Sequence, residues 1–452
     1  MGNTNRKHHG PCRSHSKTSA NRSEKVCECR QHGYNELHFK LHEAILQGET
    51  DRLVEILQFH PVNEPIKIWN DCALVPTLQT QAVLPIHLAA TYRKENSLER
   101  LLLSGANPEM RDLRGRTALH LVITHWPSIA ATWAKPQTKF QRAMAAMQRR
   151  AEACLGLLCR AGVDINAEVA SGCKHTALHL AVRYRAPPAV GILAGSGADV
   201  NATDRLGMTP LHMAAGTLSP EVTAALLDCG ADIHQVIQHT GATALHLAVF
   251  AASAKAGGTL QVDLDCTRLL LAGGARPDAQ DRAGRSPLHD ACRGGREEVV
   301  DLLLLYGGNV NLRTAAGENC LFLFLDRGPN LQCASLLGKL LSLTYPLRLT
   351  NGAGHLPGGL TRPESCFQRE LLLLLSQQPL RLQDICRIKV RQQYGAELRT
   401  HLKDAVPQAL FDFVYSNWDS IPGRGRCATG SSRQTGLKEN SSRTPGGPNL
   451  ED

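Results

Sequence analysis

Histidine shows the most order among the residues able to do chemistry. His87, His120, His179, His212, His246 and His289 each close one recurring phrase: Leu84-Pro85-Ile86-His87, Thr117-Ala118-Leu119-His120, Thr176-Ala177-Leu178-His179, Thr209-Pro210-Leu211-His212, Thr243-Ala244-Leu245-His246 and Ser286-Pro287-Leu288-His289. An imidazole can bind a metal or carry a proton near neutral pH. These six, however, lie about one repeat apart, so neighbouring copies stack along an array. The expected role is structural: each ring bonds to nearby backbone and ties a turn to a helix. Two further candidates also fall short. Cys27-x-Cys29 with His32 offers three zinc ligands, but a second pair at structural-site spacing is missing. The start Met1-Gly2-Asn3-Thr4-Asn5-Arg6 approaches an N-myristoylation signal, but Arg6 stands where Ser or Thr is wanted. The sequence has no Walker-type phosphate loop, no HExxH zinc site and no nucleophile elbow. The expectation is a protein that is not an enzyme and needs no cofactor or metal.

The elements around the histidines come from the same phrase. From His87 to Phe322, which ends a decayed copy at Asn319-Cys320-Leu321-Phe322, the last positions advance by 33, 59, 33, 34, 43 and 33. The two long intervals each read as a repeat plus an insertion. A second marker keeps the same time: Gly105, Gly162, Gly197, Gly230, Gly274 and Gly308 each follow a Leu-rich or Ala-rich segment. Thr or Ser opening the phrase suits an N-cap, and Pro210 and Pro287 suit the first helical position, where no N–H is missed. The Leu faces the neighbouring repeat, and alanines such as Ala89-Ala90 and Ala214-Ala215 let helices approach. A second helix carries leucines such as Leu101 to Leu103, and a glycine in the left-handed conformation ends it. Asp-x-x-Gly turns follow at Asp112, Asp204 and Asp281. No such unit can bury its apolar face alone, so the units must stack.

Two markers advancing together resemble the ankyrin repeat over residues 38–345, about seven copies. The resemblance implies an all-α solenoid of helix pairs with projecting turns. It also implies that partners are met by those turns and by the first helices. Arg114, Arg205, Arg282 and Arg285 are the contact candidates, with Arg111, Arg116 and Arg313 nearby, and an acidic partner surface would suit them. A degraded N-terminal copy reads in Leu41 to Leu46 and Arg52 to Leu57. The longer insertion, between His120 and His179, falls near residues 123–150. Its apolar positions Phe140, Met144, Met147, Ala151, Cys154 and Leu158 step by 4, 3, 4, 3 and 4, one face of a lengthened second helix. The insertion near 251–260 reads as a mobile loop.

Composition fits this frame. The chain has 452 residues, 42% hydrophobic but only 4% aromatic, so Leu and Ala carry the core. The net charge is +9, with much of it between Met1 and Arg30. Residues 1–37 are expected to be a disordered basic arm and 421–452 a disordered tail. Base-reading motifs are absent, so nucleic acid is not the expected partner. Fifteen scattered cysteines without a signal peptide, and Cys154, Cys229 and Cys292 read as buried, point to a reducing interior. No apolar run approaches the ~20 residues of a membrane span. A cytoplasmic protein is expected, with the nucleus as an alternative.

After the array, residues 346–378 read as a linker, Asn351 to Pro363, and a helix from Phe367 to Leu375. Residues 379–420 carry Leu382, Cys386 and Val390 at steps of four, one side of a helix with Arg and Lys elsewhere. This segment resembles a SOCS box. The resemblance implies that Leu382 and Cys386 enter an apolar pocket of elongin C, in its complex with elongin B, with Val390 as a further elongin-binding candidate. It also implies that Val406, Pro407 and Leu410 belong to the part that selects a cullin. Asp404-Ala405 replaces the first half of the usual Leu-Pro-aliphatic-Pro motif there. Two functions stay open: substrate receptor of an elongin/cullin-RING ubiquitin ligase, or a scaffold whose C-terminal helix only caps the repeats.

Overall fold

The computed structural model describes residues 36–67, 82–127, 137–170, 172–254 and 264–377. A helix of seven residues is too short to persist in water by itself, and several here are that short, so the helices exist through packing. They come in pairs: α1 (Glu36–Gln47) with α2 (Thr50–Leu57), α3 (Pro85–Thr91) with α4 (Glu95–Leu103), α5 (Ala118–Thr124) with α6 (Lys139–Arg160), and α7 (Ala177–Arg183) with α8 (Pro187–Gly195). Next come α9 (Pro210–Gly216) with α10 (Pro220–Asp228), α11 (Ala244–Ala254) with α12 (Asp265–Ala272), α13 (Pro287–Gly294) with α14 (Glu297–Leu305), and α15 (Cys320–Asp326) with α16 (Ala334–Leu343). A last described helix, α17 (Cys366–Gln377), stands outside the pairs. Between α2 and α3, strands β1 (Ile66–Lys67) and β2 (Ala82–Val83) pair antiparallel, Ile66 opposite Val83.

The pairs stack into one array. The first helices touch in sequence order from α1 through α15, and the second helices do so from α2 through α12. One continuous core runs through them. The phrase leucines Leu119, Leu178, Leu211, Leu245 and Leu288 are at most 1% exposed. Ala181, Ala214, Ala248 and Ala291 are fully buried, so their small side chains set the close spacing of successive first helices. The degraded copies at both ends fold as pairs too. Asn319 replaces the capping Thr of α15, its side-chain oxygen accepting from the Phe322 amide at 2.8 Å.

The insertions fall partly among the described residues; 128–136 and 255–263 lie outside them. The first insertion lengthens a second helix as expected: α6 has 22 residues, opened by a reciprocal cap between Thr138 and Gln141. Ala151, Cys154, Leu155 and Leu158 anchor its C-terminal half in the core, Met144 and Met147 are half-buried, and Phe140 is exposed. The second insertion is a correction at its start. Residues 251–254 continue α11 as helix, with Ala252 and Ser253 buried, because the apolar face of α11 extends one turn further.

Two more readings change. The left-handed position after α14 belongs to Gly307 (φ 87°), whereas Gly308 donates its amide to the Leu303 carbonyl at 2.9 Å. That is the bond made by Ala106 to Leu101 and by Ala275 to Leu270. The two adjacent glycines hid the register by one position. The stretch starting at Asn351 is also more than a linker. Asn351 accepts from the amides of Ala353 and His355, and the Gly352 amide donates to the Ala316 carbonyl at 2.8 Å. The projecting turns thus continue one unit past α16. Residues 1–35, including Cys27, Cys29 and His32, and the tail 421–452 lie outside the described residues.

Candidate protein-binding surface

Three of the projecting turns are each built by one carboxylate. Asp112 Oδ1 accepts from the amides of Arg114 and Arg116, Asp204 Oδ1 from Leu206 and Met208, and Asp281 Oδ1 from Ala283 and Arg285. Burial alone would push the Asp112 carboxyl up. The Arg116 and Arg114 amides with the Arg116 guanidinium outweigh that, and its pKa is lowered. Successive turns bond to one another through the backbone: Ala170 to Gly115, Arg205 to Cys173, Arg282 to Thr240, Ala315 to Ala283. The fingers therefore form a ribbon rather than independent loops.

The histidines hold this ribbon to the helices. Nδ1 of His120, His179, His212, His246 and His289 accepts the backbone N–H of the capping Thr or Ser three positions earlier, at 3.0–3.3 Å. Nδ1 is therefore the unprotonated nitrogen, and Nε2–H is free to donate. It donates to the Ala167 carbonyl from His120, Met208 from His179, Arg285 from His246 and Leu312 from His289. Each acceptor lies in the chain leading to the next repeat. His87 lacks the capping hydroxyl, because Leu84 stands there, yet it still donates to the Met110 carbonyl. His212 Nε2 has no acceptor at bonding geometry. Burial lowers the pKa of all six, to about 4 for His120 and His289. Among the described residues, no three His, Cys, Asp or Glu converge as a metal site.

A second tie was not foreseen in the sequence. Asn166 Oδ1 accepts the Asp199 amide, Asn201 accepts that of Asp232, and Asp278 that of Asn309, each at 2.7–2.8 Å and 31 or 33 residues apart. Asn and Asp are ordinary in turns, so only their spacing of one repeat could have flagged them.

The candidate contact residues separate. Arg114, Arg205 and Arg282 are exposed at turn tips. Arg285, three positions along the same turn as Arg282, is spent internally. Its guanidinium donates to Asp281 Oδ2 at 2.9 and 3.1 Å and lies 3.6 Å from Asp290. Arg116 is bound to Asp112 in the same way. Beside the exposed arginines stand apolar tips that the charge pattern concealed: Leu113 is 84% exposed and Leu206 60%. Phe250, on the first helix α11, is 59% exposed. The array thus offers two arginine–leucine tips, Arg282 on a third turn, and a separate exposed aromatic on a first helix. Such a surface suits a protein partner whose contact area mixes acidic and apolar groups. Leu382, Cys386, Val390, Val406, Pro407 and Leu410 lie outside the described residues. No described helix is long and apolar enough to cross a membrane.

Comparison with known proteins agrees with the architecture. The model for ankyrin repeats (3 copies) matches residues 142–237, 178–257, 236–314 and 253–339. The B-cell lymphoma 3 protein homolog of Mus musculus is 38% identical over 165 residues, which are 36% of this chain and 35% of that protein. The chain therefore spans about a third of that relative. Ankyrin repeat and SOCS box protein 16 of Mus musculus is 28% identical over 415 residues, 83% of this chain and 85% of the relative. Among solved structures, the ankyrin repeat domain of Bcl-3 is 26% identical with TM-score 0.43, covering 53% of this chain and 93% of that one.

Proposed function

This chain is an array of ankyrin repeats, and from that premise we propose that it is a non-catalytic protein-interaction scaffold, the substrate-recognition subunit of an elongin/cullin-RING ubiquitin ligase. The observation that carries the reading is the pairing of the array with residues 379–420, where Leu382, Cys386 and Val390 stand at steps of four in the sequence. A relative whose name joins ankyrin repeats to a SOCS box aligns over 83% of this chain, which supports it. In this reading the row of Leu113, Arg114, Arg205, Leu206 and Arg282 holds the target. Leu382, Cys386 and Val390 hold elongin C, and catalysis belongs to other subunits. Val406, Pro407 and Leu410 are the cullin contacts, with Asp404-Ala405 in place of the first half of that motif. A scaffold without ligase association differs only in what residues 379–420 do. The test is co-purification of the full chain with elongins B and C beside the Leu382→Asp/Cys386→Asp variant. The wild type retains them, and the variant loses them while its repeats stay folded.

A further inference from the structure

The last described helix presents an apolar face that no described residue covers. Of the twelve residues of α17 only Leu372 is buried, against the end of the array core, with Leu373 and Leu375 half-buried beside it. Phe367 is 74% exposed, Leu371 45% and Leu374 60%. These three stand at i, i+4 and i+7, so they form one stripe on the side away from Leu372. Single exposed leucines are ordinary, but an aromatic and two leucines in line on one helix mark a contact surface.

The chain itself supplies a matching stripe. α17 ends at Gln377, and the sequence runs on to Asp452. Within that stretch residues 406–414, Val-Pro-Gln-Ala-Leu-Phe-Asp-Phe-Val, hold five large apolar side chains and one charge. The other apolar stretch, 380–390, carries four charges, Arg381, Asp384, Arg387 and Lys389. Val406, Leu410 and Phe413 repeat the spacing of the α17 stripe, i, i+4 and i+7.

We propose that residues 406–414 fold back on α17, setting Val406, Leu410 and Phe413 against Phe367, Leu371 and Leu374. Being tethered, the segment competes for the face at an effective concentration on the order of millimolar, which a free partner seldom matches. Pro407 and Phe411 fall off the stripe, and Leu382, Cys386 and Val390 are not used by it. The cover engages Val406 and Leu410, which the ligase reading assigns to cullin, so those two uses of the segment exclude one another, whereas elongin binding is untouched. The cover is tested on the free chain, without elongins or a cullin.

Hydrogen exchange read by mass spectrometry, on the full chain at two concentrations, tests it. Phe367→Asp removes an exposed side chain that supports nothing in the described fold, so the peptides of 82–127 and 137–345 keep their rates. The peptide 406–414 is expected to exchange at least tenfold faster in Phe367→Asp than in wild type, and α17 at least tenfold faster in Phe413→Asp. Unchanged rates in both reciprocal peptides overturn the proposal. Protection of α17 that appears only at the higher concentration, with a doubled mass, also overturns it and assigns the face to a second copy.

Discussion

At the scale of single residues, His120, His179, His246 and His289 are ties between repeats whose neutral form is required. Nδ1 must accept a capping N–H while Nε2–H donates to the next repeat, and a second proton on Nδ1 would turn that acceptor into a donor. Their folded pKa values lie below the ordinary 6.5, to about 4 for His120 and His289. The unfolded chain therefore takes protons first. Stability is fully present above pH 6.5, falls as pH drops toward 4, and levels off for these groups below it. A shift of this size corresponds to on the order of 3 kcal/mol for each of the two. Gln at 289 keeps a capping acceptor without the titration. The urea midpoint of His289→Gln should therefore lose less between pH 7.5 and 4.5 than the wild type, by up to about 3 kcal/mol. Two arginines of one turn should also part company. Arg285→Ala strips Asp281 of its ion pair and should cost about 1–2 kcal/mol in denaturant titration, while Arg282→Ala should stay within about 0.5. The sequence could not tell these arginines apart, since only the path of the turn decides which one folds back on Asp281.

At the scale of elements, the helix pairs were legible because the capping hydroxyl, buried leucine and terminal glycine of each repeat do local work at fixed positions. What stayed hidden was register and reach: which of Gly307 and Gly308 turns left-handed, how far α11 runs, and that Asn351 opens another finger. The phrase after that finger, Leu356-Pro357-Gly358, has lost both its hydroxyl and its histidine. The finger ribbon predicts a contrast between two left-handed glycines. A Cβ on Gly105 (φ 84°) meets open space, so Gly105→Ala should cost about 1 kcal/mol for backbone strain alone. A Cβ on Gly284 (φ 73°) would sit 2.7 Å from the Ala315 nitrogen, the amide that bonds the neighbouring finger at Ala283. Gly284→Ala should therefore lower the thermal midpoint clearly more than Gly105→Ala; equal shifts would mean the fingers do not bear on one another.

At the scale of the whole molecule, an array whose core is continuous and whose histidines face inward leaves its outer rows for recognition. The proposed binding row was half legible. Arg114, Arg205 and Arg282 stand out by charge, but Leu113, Leu206 and Phe250 become surface only when the helices around them are built. The proposed division of labour puts the target on those rows and elongin C on Leu382, Cys386 and Val390. The most direct measurement is the native mass of the full chain co-expressed with elongins B and C. One copy of each protein in a single complex, reduced to the bare, folded chain in Leu382→Asp/Cys386→Asp, is the predicted result. A wild-type chain that runs without elongins, or a variant that keeps them, would contradict the account and leave a scaffold whose C-terminal segment serves the fold alone.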